Sequence, residues 1–117
     1  KKDFPGFFSK ISDIYSKEDG TSFSLSDSKF NTINLVTGIA DTSLIKIELI
    51  SHNIKIIEHR YNDHHNFSKK DFPNNKLPIL ITEKDYVKIK NLEIDNIYVF
   101  KQTIYPNEKL KNMIDKF

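Results

Sequence analysis

Two adjacent histidines follow an aspartate at Asp63-His64-His65. A carboxylate beside a histidine fixes the tautomer of the imidazole and raises its basicity, so the group can serve as a general base. Histidine can also bind zinc, although a zinc site needs three or four ligands and the chain contains no cysteine. A solvated polar loop without chemistry is the third interpretation. The residue types alone leave these interpretations open, and we assign no metal ligand.

Two other stretches carry residues that could contact an anion. In Thr82-Glu83-Lys84-Asp85, Thr82 and Asp85 form a helix-capping box. Lys84 opposes the helix dipole at that position, which points to an anion opposite its side chain, and a solvated lysine is the alternative. Gly38 follows a strand and precedes a helix, where a glycine suits a phosphate contact or simply a tight turn.

The composition excludes several classes of protein. The three glycines, Gly6, Gly20 and Gly38, are spaced too widely for a P-loop or a dinucleotide-binding fingerprint. A net charge of +2 gives no reason to expect a nucleic-acid partner. No apolar run approaches the roughly 20 residues that span a membrane. The chain begins Lys-Lys-Asp, without methionine, and we expect it to be a piece of a longer protein.

The pattern of apolar residues predicts an α/β fold. Residues 1–31 are predicted to be a two-stranded β connector, with FFSKISDIY and TSFSLSD pairing across Gly20. Residues 32–117 alternate between strands and helices, which predicts a C-terminal lobe with a mostly parallel four-stranded sheet and helical crossovers. The four predicted strands are TINLVTG, NIKIIEHR, KLPILIT and NIYVFKQTI.

Capping signals predict where the helices begin. Leu44, Ile47, Glu48 and Ile50 have helical spacing behind a cap at Asp41, Thr42 or Ser43. The other predicted helix starts are Ser68 with Asp71, Thr82 with Asp85, and Pro106 in the first turn of a C-terminal helix. Gly38, residues 63–65 and Thr82 all follow strand ends, so a parallel sheet should bring them to the edge where such sheets bind ligands.

Three segments resemble a known family. VTGIADTSL (36–44), YNDHHNFSKKDF (61–72) and LPILITEKDYVKI (77–89) resemble, in this order and at these spacings, the C-terminal part of the tetraacyldisaccharide 4′-kinases, the lipid A 4′-kinases of Gram-negative bacteria. The similarity runs from about Phe7 to the end of the chain. Asp41-Thr42 stands where the family has Asn-Pro, which weakens the match in that loop.

The resemblance implies a function for the whole enzyme. It would transfer the γ-phosphate of ATP, with Mg²⁺, to the 4′-hydroxyl of a tetraacyldisaccharide 1-phosphate at the cytoplasmic face of the bacterial inner membrane. ATP and Mg²⁺ would be held mainly by an N-terminal lobe that carries the P-loop and the membrane-associating region and is absent from this sequence. The partners would be that lobe and the lipid A disaccharide precursor. The segment itself is expected to be soluble, free of cofactor and inactive.

The resemblance also assigns roles to residues. His64 corresponds to the family's active-site histidine, which works beside the sugar hydroxyl and the γ-phosphate, and Asp63 shares its catalytic motif. His65, Lys84 and Gly38 are expected to be auxiliary or to bind substrate, and both histidines are expected at an open cleft edge. The alternative is a stand-alone α/β binding or scaffolding domain without catalysis. A self-contained hydrolase built on His64 and Asp63 would need a nucleophile or metal cluster that the sequence does not offer.

Overall fold

The computed structural model describes residues 7–39 and 41–106, whose strands form one six-stranded sheet in the order β2-β1-β6-β5-β3-β4. The strands are β1 (Phe7–Ser16), β2 (Ser22–Phe23), β3 (Thr32–Thr37), β4 (Lys55–Arg60), β5 (Ile79–Thr82) and β6 (Ile97–Pro106). The helical elements are α1 (Ser43–Ser51), a 3-10 turn (Lys69–Asp71) and α2 (Glu83–Tyr86). None of the helices in the described ranges has the length and apolar character that a membrane span requires.

The predicted fold class is confirmed. Strands β4, β3, β5 and β6 are parallel neighbours, and helical segments connect them. The predicted antiparallel pair is also present, with Ile14 opposite Phe23. This pair extends the same sheet, because β1 runs antiparallel along β6 and places Ser16 opposite Tyr98.

Apolar side chains cover both faces of the central parallel strands β3 and β5. Along β3, Leu35 points to one face and Val36 to the other, as strand geometry requires, and both are buried. The first face packs against Ile45 and Leu49 of α1. The second packs against apolar residues that follow β4 and β5, namely Phe67, Phe72, Ile89 and Ile94. Coverage of both faces explains why burial along β3 and β5 is nearly continuous rather than alternating.

The crossovers create a topological switch point. From β3 the chain passes to β4 on one side, and then crosses back to β5 on the other side of β3. The first crossover contains α1 and covers one face, whereas the segment between β4 and β5 covers the opposite face. Open α/β sheets bind ligands where the strand order reverses in this way, at the carboxyl ends of the strands. Here that place lies between the ends of β3 and β5.

Several local predictions need correction. Helix α1 is present, but it buries Ile45 and Leu49 and exposes Ile47 and Ile50, because the packing surface lies on the other side of the helix. Pro106 is the last residue of β6 and not part of a helical turn, and the predicted C-terminal helix lies outside the described residues. Three elements are shorter than predicted: β2 has two residues, the helix after Ser68 is one 3-10 turn, and α2 has four residues.

The cap of α1 is formed differently from a simple N-cap. Thr42 occupies the N-cap position, but its side chain makes no capping hydrogen bond and its hydroxyl donates to the Glu58 carboxylate. Asp41 Oδ1 instead accepts from the backbone N–H of Ser43 at 2.9 Å. The hydrogen bond from Thr42, which outweighs the cost of burial, holds the pKa of Glu58 below its usual value, and Lys46 and Arg60 add to the effect. This cluster ties the start of α1 to β4.

Candidate functional site

The ends of β3, β4 and β5 converge at the switch point, as the sequence predicted. A Cβ atom placed on Gly38 would lie 3.2 Å from the carbonyl oxygen of Asn62 and 3.6 Å from Cα of Asp63. It would also lie 3.2 Å from Oδ1 of Asp85. The loop after β4 and the start of α2 therefore touch the glycine that follows β3. Gly38 is required here by close approach of its neighbours.

The carboxylate of Asp85 lies at the centre of this convergence. Asp85 is 1% exposed, and its Oδ2 accepts a hydrogen bond from the backbone N–H of Gly38 at 2.8 Å. Thr82 Oγ1 lies 3.3 Å from the same oxygen. Lys88 Nζ lies 3.3 Å from Oδ1. The sequence suggested only a capping role for Asp85, and its contact with Gly38 was not predicted.

The predicted cap of α2 is present. Thr82 is the N-cap, and its hydroxyl oxygen accepts from the backbone N–H of Asp85 at 3.3 Å. Thr82 is also the last residue of β5, so strand and helix follow each other without a loop. This direct connection places Lys84 and Asp85 in the first turn of α2, close to the end of β5.

Asp63 and Lys84 form an ion pair at the surface of the site. Lys84 Nζ is 3.2 Å from Asp63 Oδ1, and the two side chains are 69% and 54% exposed. The hydrogen bond from Lys84, followed by its charge, lowers the pKa of Asp63, with smaller effects of Lys88 and His64. Lys84 thus faces an anion, as its position suggested, and in this structure that anion is Asp63. An exposed pair of this kind is weak and can exchange its partner for another anion.

The two histidines occupy different environments. His64 is exposed, and within the described ranges its side chain makes no hydrogen bond. His65 stacks on the ring of Tyr61, with centroids 4.5 Å apart, and meets Phe67 edge-on at 4.8 Å. Its Nε2 lies 3.0 Å from Asp71 Oδ2. The expected open edge describes His64, which is exposed, whereas His65 is only partly exposed and is held in the loop by its aromatic neighbours and its carboxylate partner.

Asp71 anchors the loop from its other end. Its carboxylate accepts from the backbone N–H of Ser68 at 2.9 Å, which completes the predicted capping box. The backbone hydrogen bond from Ser68 and then the hydrogen bond with His65 lower the pKa of Asp71. The hydroxyl of Tyr61 donates to the carbonyl oxygen of Asp71 at 2.7 Å. The backbone on both sides of His64 is consequently held.

A shallow pocket of about 560 Å³ opens beside these residues. It is lined by Gly38, Ile39, Arg60, Tyr61, Asn62, Asp63 and His65. A larger cleft of about 1240 Å³ lies at the amino ends of β5 and β6, lined by residues such as Leu77 and Asn96. That cleft contains none of the residues that the sequence singled out. We place the candidate site at the smaller pocket because the converging strand ends and the histidine loop are there.

The described residues were also searched for clusters of metal-ligating side chains. Within ranges 7–39 and 41–106, no group of three or more His, Cys, Asp or Glu side chains could hold a metal ion. The glycines of the chain do not form a phosphate-binding loop either. The side chains present can position a substrate and move a proton.

Comparison with known proteins identifies the family. The family model described as tetraacyldisaccharide-1-P 4′-kinase (LpxK) matches residues 8–117. The chain belongs to this family.

Named relatives agree with the assignment. The tetraacyldisaccharide 4′-kinase of Hahella chejuensis is 28% identical over 85 residues, which cover 72% of this chain and 25% of the relative. The enzyme of that name from Legionella pneumophila is 33% identical over 72 residues, which cover 62% of this chain and 22% of the relative. The chain thus spans about a quarter of the length of these tetraacyldisaccharide 4′-kinases.

A solved structure of the family supports the fold. The crystal structure of LpxK from Aquifex aeolicus in complex with ATP aligns with a TM-score of 0.55 at 22% identity. The alignment covers 99% of this chain and 38% of that protein. The mixed sheet of the present chain is therefore the fold of one part of a tetraacyldisaccharide 4′-kinase.

Proposed function

We propose that this chain is the C-terminal lobe of a lipid A 4′-kinase. The complete enzyme transfers the γ-phosphate of ATP to the 4′-hydroxyl of a tetraacyldisaccharide 1-phosphate, at the cytoplasmic face of the bacterial inner membrane. An N-terminal lobe of the same chain binds ATP and Mg²⁺ and associates with the membrane. The present lobe supplies the histidine loop that faces the sugar. Family membership and the lack of a phosphate-binding loop in this sequence support this division of labour.

The environment of His64 is the observation that carries the proposal. His64 is exposed and stands between Asp63 and His65, which line the pocket at the switch point and are held by other contacts. A general base needs this combination, because its ring must reach the substrate while its backbone stays in place. Asp63 and His65 are both engaged, which leaves His64 as the group available for proton transfer.

In the proposed reaction each of these residues has a role. The imidazole of His64 accepts the proton of the 4′-hydroxyl as that oxygen attacks the γ-phosphorus, and the bond from the γ-phosphorus to the leaving ADP oxygen breaks. Positioning and charge stabilisation dominate phosphoryl transfer. Lys84 lies close enough to the loop to contact a phosphate or the sugar when it leaves Asp63. Asp63 sets the charge near the imidazole, and Gly38 allows the loop to approach the end of β3.

The test uses the full-length protein that contains this sequence. We expect it to convert tetraacyldisaccharide 1-phosphate to the 4′-phosphorylated product with ATP, detected by transfer of label from γ-labelled ATP. The 117-residue chain alone should produce no product and should bind Mg·ATP only weakly in calorimetric titration. Micromolar binding of Mg·ATP to the chain alone, or no transfer by the full-length protein, would contradict the proposal. If the protein were a binding domain without catalysis, no phosphate transfer would be detected.

A further inference from the structure

We propose that Asp85 and Lys88 are positioning residues that hold the peptide group before His64 in its working place. This inference deepens the proposed function and rests on His64 being the acting residue. Neither side chain needs to touch the substrate. They act by linking the ends of three strands to the loop that carries the imidazole.

The carboxylate of Asp85 is directed away from its own helix. In a usual capping box, an acidic residue at this position reaches back to the backbone N–H of the N-cap residue. Here Oδ2 of Asp85 instead accepts from the backbone N–H of Gly38, 47 residues earlier in the chain, at 2.8 Å. The hydroxyl of Thr82 alone caps α2. The buried charge of Asp85 therefore joins the end of β3 to the end of β5.

Lys88 extends this link to the histidine loop. Its Nζ donates to the carbonyl oxygen of Asp63 at 2.6 Å and lies 3.3 Å from Oδ1 of Asp85. That carbonyl belongs to the peptide bond between Asp63 and His64. A charged donor on this carbonyl fixes the orientation of the peptide plane, since charge-assisted hydrogen bonds are the stronger ones. The direction in which the His64 side chain leaves the backbone is fixed with it.

The packing around Gly38 makes the arrangement intolerant of small shifts. Gly38 is closely surrounded by the loop after β4 and by Asp85. A Cβ atom added to it would lie 3.2 Å from both Asn62 O and Asp85 Oδ1. If Asp85 or Lys88 loses its charge, the loop after β4 is no longer pulled toward α2. An error of about 1 Å in a catalytic group can lower the rate about 10²-fold.

The first experiment measures the backbone amide resonances of the histidine loop in ¹H–¹⁵N spectra of the 117-residue chain. Lys88→Met keeps most of the aliphatic stem and removes both polar contacts. We expect it to shift the amide resonance of His64 and to speed its hydrogen exchange. Asp85→Asn should move the Gly38 amide proton upfield, because its acceptor is no longer charged. Lys90→Met is the matched control, since Lys90 is exposed and its side chain makes no hydrogen bond or ion pair within the described ranges. A His64 amide unchanged in Lys88→Met would overturn the proposal.

The second experiment measures catalysis in the full-length protein. At a temperature where both variants are folded, Lys88→Met should lower kcat by about 10²-fold while the KM for the disaccharide stays near that of Lys90→Met. Its thermal midpoint should be lower, because the buried carboxylate of Asp85 loses its charged partner. Lys88→Arg should restore most of kcat, because a guanidinium can donate to both oxygens. Equal kcat in Lys88→Met and Lys90→Met would overturn the positioning role, as would a loss that only follows a lower thermal midpoint. Absence of activity in the unmodified full-length protein would instead contradict the proposed function, and the His64 amide would still decide the positioning role.

Discussion

Nε2 of His65 lies 3.0 Å from Oδ2 of Asp71, so the second histidine of the pair is fixed to the 3-10 turn that follows the loop. Its ring also stacks on Tyr61. The preceding residue, His64, has no comparable contact in the described ranges. The two neighbouring histidines therefore differ, because His65 is held in the loop by its contacts whereas the side chain of His64 is exposed.

This division predicts different effects of the two substitutions on folding. His65→Ala should lower the free energy of unfolding of the chain by about 1–2 kcal/mol, because it removes a hydrogen bond to a carboxylate and an aromatic contact. His64→Ala should change it by less than about 0.5 kcal/mol, as is usual for an exposed side chain without partners. Urea denaturation followed by circular dichroism measures both. Equal destabilisation by the two changes would show that the loop is not anchored through His65.

Gly38 should not accept a side chain. An added methyl group would lie 3.2 Å from a backbone carbonyl and from the carboxylate of Asp85, and neither group can easily move. We expect Gly38→Ala to lower the free energy of unfolding by about 1–3 kcal/mol, the usual cost of overpacking. The control is Gly20→Asn. Gly20 has φ +73° and nothing within 4 Å of an added Cβ, and asparagine tolerates that conformation. A stability of Gly38→Ala equal to that of the wild type would contradict the close approach.

Sequence reasoning predicted which strand ends lie together but not how the residues there interact. Strands β3 and β5 were predictable because both are short segments rich in apolar residues, and the meeting of Gly38 with the histidine loop followed from the parallel sheet. The role of His65 was not predictable, because Tyr61 and Asp71 reach it only after the loop turns back. The contact between Asp85 and Gly38 was not predictable either, because it joins residues 47 positions apart. The sequence around Asp85 indicates only a helix-capping role for its side chain. The sequence also did not show which face of α1 is exposed, because apolar residues occur on both sides of that helix.

His59 should make stability depend on pH. Burial lowers the pKa of this histidine below its usual value of 6.5, and its Nε2 lies 3.0 Å from Oδ1 of the buried Asn34. The unfolded chain therefore binds the proton at higher pH than the folded chain does. The associated stability is fully present above about pH 6.5 and is lost as the pH falls through the lower pKa of the folded state.

The test of this pH dependence compares unfolding free energies at pH 7 and pH 5. His59→Gln can still donate to Asn34 but does not titrate, so its stability should decline less between these pH values than that of the wild type. His52→Gln is the control, because His52 is exposed at the end of α1. A decline in His59→Gln as large as that in the wild type would contradict the effect of burial on His59.

The most direct test of the central claim is kcat of the full-length protein with His64→Ala and His65→Ala, measured below the unfolding midpoint of the less stable variant. Loss of a positioned general base lowers rates by about 10²–10⁴-fold, and we expect this for His64→Ala without a change in the thermal midpoint. His65→Ala should lower kcat at least about tenfold less than His64→Ala, with Asp63→Asn between them. Equal losses of kcat in the two histidine variants, or a larger loss for His65→Ala, would contradict the assignment of His64 as the acting residue.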